Sequence, residues 1–225
     1  MENVFSKDKA IDLFRQHATI KKYLPETTLI IQGNEVHELL LIESGVVKLT
    51  YLDENGDENL VTFCKKGTII GVAGLVSQTG AIVTSTTINV CEIYRLEVPK
   101  FRRLEQDNPA FAQTINQFIS QQYSDLVIYL SQLANAPVRT RLLRMILDFI
   151  AESNTHKSEK IRIDFPFSDK DLASYLTITP EHLSRIYHDL AKEGIILRER
   201  GVSFVTDLEK LREEAQNYRK ERKKI

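Results

Sequence analysis

Cysteine is scarce in this chain of 225 residues, with Cys64 and Cys91 the two it has. Two thiols cannot build a disulfide scaffold or ligate a cluster that needs four thiolates. No apolar run approaches the roughly 20 residues that a membrane-spanning helix requires, so no membrane partner is expected. The opening residues, Met1 to Lys9, are charged and lack an apolar segment. Export is therefore not expected, and the cytoplasm is the expected compartment. Histidine is thin as well: five residues with no His-x-His pair, and His37 alone between Thr27 and Leu96. A metal-dependent β-barrel enzyme would carry paired histidines and a carboxylate there. A nucleophile elbow, a phosphate-binding loop and a Gly-x-Gly-x-x-Gly turn are missing too. The chain is not expected to be an enzyme, and no metal or cofactor is expected.

An excess of one charge is also lacking, since the net charge is −1. The distribution is uneven, however. Residues 1–137 hold 12 Lys and Arg against 16 Asp and Glu, whereas residues 138–225 hold 18 against 15. The positive side falls on the C-terminal part, where a nucleic-acid reader would carry it.

What is present changes texture along the chain. Residues 6–18 predict a short helix with Ser6 as its cap and Ile11, Phe14 and Ala18 on one face. From Thr27 to Leu96 the chain turns to short runs of Val, Ile, Leu, Thr and Tyr, punctuated by seven glycines from Gly33 to Gly80. Val47, Leu49 and Tyr51 alternate with Lys48, Thr50 and Leu52, the period of a half-buried strand, and Asp53-Glu54-Asn55-Gly56 supplies a hairpin turn. Many short strands closed by turns predict an antiparallel roll or barrel.

Residues 109–136 adopt a helical period. Ile115, Ile119, Gln122, Leu126, Tyr129 and Leu133 follow one another by alternating steps of four and three, an a/d seam of about three heptads. Pro109 suits a first helical turn and Pro137 ends the run. Phe111, Phe118 and Ile128 lie on other faces. Such a helix needs two partners, its own roll and a second copy of itself, and a parallel coil in a homodimer satisfies both. Gln122 within the seam would set its register.

Residues 138–151 form another amphipathic helix, with Leu142, Leu143, Ile146, Phe149 and Ile150 on its apolar face. A polar loop and an extended segment, Ile161 to Phe167, follow. Ser168-Asp169-Lys170-Asp171 then opens a helix with a hydroxyl cap and an acidic first turn. Thr177-Ile178-Thr179 makes a tight turn, Thr179 caps a second helix with Pro180 at its first position, and Gly194 ends it. The inner face of that helix is Leu183, Ile186, Tyr187 and Leu190; two short strands around Gly201 come next. Helix, tight turn, helix, hairpin is the order of a winged helix-turn-helix, whose second helix enters the major groove of DNA.

The side chains suit that place. Arg185 has the planar fork that matches the O6 and N7 of guanine, Glu181 can accept from the amino group of cytosine, and Ser184 can reach a base edge. Thr179 and the helix N-termini suit phosphates. Pro180, His182, His188, Ser168 and Lys170 complete the expected DNA-facing set. Residues 207–225 read as a charged helix with a solvated basic end.

On these motifs the chain resembles the family of the cyclic-AMP receptor protein and the fumarate–nitrate reductase regulator (Crp/Fnr) over nearly its whole length. Gly33, Gly45, Gly56, Gly67 and Gly71 stand as that family's glycine ladder. Glu181-His182-Leu183-Ser184-Arg185 is similar to its Glu-Thr-x-Ser-Arg recognition motif, with His182 where threonine is usual. The resemblance implies an α+β protein: a cyclic-nucleotide-binding-like jelly roll over 1–107, a dimerisation helix over 108–136, and a winged helix-turn-helix with a charged tail over 137–225. It implies a homodimer on an inverted repeat of TTGA-like half-sites in double-stranded DNA, with RNA polymerase as a further partner. The family's nucleotide pocket uses Gly-Glu-x-x-Leu and an Arg-Ser pair. Here Gly71-Val72-Ala73-Gly74-Leu75 and Ile82-Val83 stand in those places. A cyclic phosphate without a cation would lose its charge-assisted hydrogen bonds on burial, so cyclic AMP is not the expected effector. Gly71, Val72, Leu75, Ile82 and Val83 remain the candidate pocket for an effector of unknown chemistry. The N-terminal cysteine cluster of the fumarate–nitrate branch is absent. The competing expectation is a ligand-binding or scaffold module whose helix-turn-helix meets protein.

Overall fold

The structure, a computed structural model of the chain, describes residues 7–77, 80–152, 160–163, 165–199 and 202–221. It divides into two compact units, residues 1–127 and 128–225. The capping role expected of Ser6 and the loop at 154–159 lie outside the described residues.

The first unit opens with α1 (Lys7–His17), which leads into β1 (Thr19–Tyr23), β2 (Thr28–Ile30), β3 (Glu38–Ser44), β4 (Val47–Leu52), β5 (Glu58–Cys64) and β6 (Ile69–Ile70). A short α2 (Val72–Ser77) precedes β7 (Thr84–Thr87) and β8 (Cys91–Glu97), after which come α3 (Val98–Asp107) and α4 (Pro109–Asn135). The strands form two antiparallel four-stranded sheets, ordered β1-β8-β3-β6 and β2-β7-β4-β5. The strand β1, the helix α2 and the helix α3 carry no marked signal in the sequence, being short or charged.

Strand β3 explains how the unit is layered. Its Leu39-Leu40-Leu41-Ile42 run is buried throughout, because successive side chains point to opposite faces and both faces are covered. Leu40 and Ile42 meet Val47, Cys64, Ile70, Cys91 and Ile93 inside the roll. Leu39 and Leu41 meet Phe14 of α1, Phe101 of α3, and Phe111, Ile115 and Phe118 of α4 on the other side. Both cysteines are therefore core residues, and burial pushes the Cys64 thiol up to about 12.

Two local expectations are corrected. The alternation in β4 breaks at a bulge between Leu49 and Thr50. The extra residue, Val61, is on the partner strand β5 between Leu60 and Thr62; in β4 itself Thr50 is buried while Tyr51 and Leu52 are exposed. The hairpin that follows places only Gly56, with φ of 86°, in the left-handed region, and Asn55 is not there. Asp53 holds the loop instead, accepting from the backbone N–H groups of Asn55 and Asp57 at 2.9 and 3.0 Å.

The second unit contains α5 (Val138–Glu152), β9 (Ile161–Ile163), α6 (Asp169–Tyr175), α7 (Pro180–Lys192), β10 (Ile196–Glu199), β11 (Val202–Val205) and α8 (Leu208–Glu221). Its three strands pair antiparallel in the order β10-β11-β9. Phe149 of α5 packs edge-on against Phe165 and Phe167, joining α5 to the segment that enters α6. The solvated basic end expected of the tail lies outside the described side chains; ahead of it, in α8, Leu211 and Ala215 are buried, and Arg144 of α5 donates to the Ala215 carbonyl. A leucine and an alanine four residues apart on one helix face are enough to dock it.

Candidate nucleic-acid interface

Helix α6 begins with a full capping box. The Asp171 N–H donates to Ser168 Oγ at 3.1 Å, and the Ser168 N–H donates to Asp171 Oδ2 at 3.2 Å. The Ser168 hydroxyl in turn donates to Asp171 at 2.6 Å, so this hydroxyl is committed to the cap rather than offered to a phosphate. Lys170 beside it is exposed. The turn into α7 passes through Thr177 at φ of 57°, a left-handed conformation that a β-branched residue adopts only under strain.

Thr179 caps α7, its Oγ1 accepting from the His182 N–H at 3.3 Å, with Pro180 in the first turn. Leu183, Ile186, Tyr187 and Leu190 are buried, as the period predicts. Glu181, His182, Ser184, Arg185 and His188 are all exposed on the outer side, together with Thr179 and Pro180. The Glu181 carboxyl is held below its ordinary range, first by its own backbone N–H and then by Thr179, with Arg185 adding to the effect. It is an acceptor at neutral pH, next to the guanidinium that would read a base.

The two-stranded wing pairs Ile196 with Val205 and Glu199 with Val202; Gly201 at its tip lies outside the described residues. Arg198 of the wing is occupied within the unit. Its guanidinium sits 4.8 Å from the centre of the Tyr187 ring and donates to Asp169 of α6 at 2.5 Å. Burial pushes the Tyr187 phenol up to about 12.

The structure also places a charged hub that spacing in the sequence does not reveal. Arg139 bonds Glu193 and Glu214, partners 54 and 75 residues away, and periodicity carries no information over such separations.

The residues of the expected seam on α4 are split between buried and open positions. Ile115 is 1% exposed and sits in the core with Phe111 and Phe118, and Ile119 packs against the same cluster. Gln122 is bonded within its own unit: its Oε1 accepts from the Ile69 N–H at 3.0 Å and its Nε2 donates to the Ile69 carbonyl at 3.3 Å. Tyr129 stacks on Tyr175 at 5.4 Å. The Leu133 side chain lies outside those described. The apolar residues left open on this helix include Tyr123 (67% exposed), Leu126 (45%), Val127 (46%) and Leu130 (53%). With Ile119, three of these make a heptad stripe, 119-123-126-130, about one side chain away around the helix from the expected one.

The five candidate pocket residues do not converge. Val72 and Leu75 pack against the core that contains Phe14 and Phe111. Ile82 is exposed and Val83 is half-buried. Gly71, with φ of 102°, lies close to the Glu38 carbonyl and Val36. Leu75 also borders a cleft of about 540 Å³ with Gly33, Glu35, Val36, Gly74, Gly80 and Val98. Among the described residues no cluster of His, Cys, Asp and Glu could hold a metal ion, and no helix is long and apolar enough to cross a membrane.

Comparison with known proteins matches residues 20–108 to a cyclic nucleotide-binding domain and residues 140–214 to a Crp-like helix-turn-helix domain. The chain belongs to the Crp/Fnr family. A Crp/Fnr protein is a transcription regulator with a DNA-binding helix-turn-helix, not an enzyme. Among its relatives is the cAMP-activated global transcriptional regulator CRP of Pasteurella multocida, 29% identical over 69% of this chain and 76% of the relative. The protein of that name from Haemophilus influenzae is 23% identical over 87% of each. A CRP/FNR-family transcriptional regulator of Thermus thermophilus has a similar fold, with a TM-score of 0.72 at 19% identity, covering 88% of this chain and 98% of the other.

Proposed function

We propose that this Crp/Fnr protein acts as a homodimer, joined along α4, that reads an inverted-repeat operator through α7 and does not respond to cyclic AMP. The observation that carries the DNA reading is the division of α7 into a fully buried face and an outer face on which Glu181, Ser184 and Arg185 stand open. Arg185 reads guanine as a bidentate donor, and Glu181 accepts from cytosine. The stripe Ile119, Tyr123, Leu126 and Leu130, with Val127 beside it, is the seam. A heptad of this kind left open on a soluble chain is best covered by the same stripe on a second copy. Two-fold symmetry then sets the two recognition helices about 10 base pairs apart, which matches TTGA and TCAA half-sites separated by about 6 base pairs.

The relatives named above are called cAMP-activated. In this chain the place of the ribose-binding carboxylate is taken by Val72, which packs into the core, and the place of the phosphate-binding pair by Ile82 and Val83. An anion there would meet no positive side chain from those positions. The roll keeps its place as a sensor for an effector other than this nucleotide. The protein works in the cytoplasm, with RNA polymerase as its further partner.

A gel shift tests the reading directly, using a labelled duplex that carries TTGA and TCAA half-sites. Binding at low salt should weaken by about a thousandfold between roughly 50 and 200 mM salt, and added cyclic AMP should leave it unchanged. Absence of binding at low salt would favour a helix-turn-helix that meets protein, and a large gain with cyclic AMP would overturn the account of the roll.

A further inference from the structure

A recognition helix presents its N-terminal half to DNA, so whatever holds its other end sets the angle of approach. That end is Glu193, followed by Gly194 at φ of 72°. Three side chains from outside the helix-turn-helix converge on it. Arg139, the second residue of α5, donates through Nη1 and Nη2 to the two oxygens of Glu193 at 2.8 and 2.5 Å. The same guanidinium reaches Glu214 of α8 through Nε and Nη2 at 3.0 and 2.7 Å. Lys210 of α8 donates to the Glu193 main-chain carbonyl at 2.9 Å, and the Thr206 hydroxyl donates to the Gly194 carbonyl at 2.7 Å. The two carbonyls just past the end of α7 are thereby satisfied by donors on α8 and on the residue that follows β11.

The hub is partly solvated, Arg139 being 30% and Glu193 39% exposed, so it contributes little to global stability. What a two-pronged fork adds is direction, because a planar guanidinium meets a carboxylate in one orientation. Here one guanidinium faces carboxylates from two elements at once. The Arg139 hydrogen bond also holds the Glu193 carboxyl below its ordinary range, so the fork stays charged at neutral pH.

We propose that Arg139 is a positioning residue for DNA recognition: with Glu193 and Glu214 it fixes the tilt of α7 against α5 and α8. Arg139 lies two residues past Pro137, so a shift where α5 begins reaches the base-reading face through this fork. The C-terminal helix α8 is then a brace for the reader. This inference rests on α7 being the DNA reader.

The test uses the full chain and two labelled duplexes of about 30 base pairs, one with TTGA and TCAA half-sites separated by about 6 base pairs, the other of scrambled sequence. Arg139→Lys keeps the charge and removes the fork. It should raise Kd for the first duplex by about tenfold, change Kd for the scrambled duplex less than about twofold, and leave Tm within about 2 °C. Arg139→Glu should lose more, and pairing it with Glu193→Arg should restore most of the selectivity, since the exchanged guanidinium can still meet Glu214. A purely structural role would instead weaken both duplexes together, in step with Tm. Unchanged selectivity in both single variants, or no rescue by the exchange, would overturn the proposal. A wild-type chain that binds both duplexes equally would overturn the reading of α7, and the role of Arg139 with it. That failure is distinct because it shows before any substitution is made.

Discussion

Helices α4 and α7 are both amphipathic, yet one wears its function openly and the other does not. In α7 every buried position falls on one face and every polar position on the other, so pattern and structure agree side chain by side chain. In α4, apolar residues occupy more than half of the circumference. One face, with Phe111, Ile115 and Phe118, is buried against the unit's own sheet, and another, with Tyr123, Leu126 and Leu130, is open. A heptad can be drawn through either, and the sequence prefers the one that mixes them. The lesson concerns the number of apolar faces: a helix with one is specified by its period, and a helix with two is not.

The largest effect expected from breaking this comparison is on α4. Replacing Leu126 and Leu130 together by Asp should raise the dimer dissociation constant at least about a hundredfold, from about 3 kcal/mol or more of lost apolar burial. Sedimentation would read a monomer, while the near-ultraviolet signal of the roll stays native. A dimer that persists would return the seam to another face of the helix.

On α7, Arg185→Ala should cost about 1–3 kcal/mol in operator binding and relax base choice at one position of each half-site. Fluorescence anisotropy against single-base variants of the duplex checks this, and unchanged discrimination would remove Arg185 from the reading set.

Gln122 sharpens the contrast between the two faces of α4. As a register residue in a seam, its replacement by Leu would strengthen dimerisation. With its amide satisfying both backbone groups of Ile69, Gln122→Leu should instead lower stability by about 1–3 kcal/mol, seen as a shift of the thermal midpoint without a tighter dimer.

The smallest effect is a gain. Thr177 holds a left-handed backbone that glycine adopts freely, so Thr177→Gly should stabilise the second unit by about 1 kcal/mol, measurable by denaturant titration. A loss of stability would mean that the Thr177 hydroxyl, which donates to the Leu176 carbonyl at 2.7 Å, matters more than the strain.

Much of the second unit is legible in the order of its residues because its signals are local. Ser168 and Asp171 are three residues apart and form the capping box their types imply. Thr179, Pro180 and Gly194 bound α7 as caps should. The roll is legible as a class of fold, and less so in detail. The bulge opposite Leu49 and Thr50 lies in the partner strand β5, where the alternation of β4 carries no sign of it, and the apolar run of β3 has no alternation because helices cover what would otherwise be its solvent side. The terminal helix was legible as a helix but not as a packed one, since two small-to-medium apolar residues among many charges are a faint stripe.

Scarcity set the first limits, and the two cysteines the chain has are both interior. The sequence by itself determined that the chain carries a β-roll, a long helix and a winged helix-turn-helix, because hydrophobic period, caps and turn residues act over a few positions. Only the tertiary structure decided which face of α4 is left open, that Val72 and Leu75 pack against the core of the first unit, and that Arg139 grips the end of the recognition helix. Those choices join residues tens of positions apart, where burial and charge pairing are settled by proximity in space and leave no period along the chain.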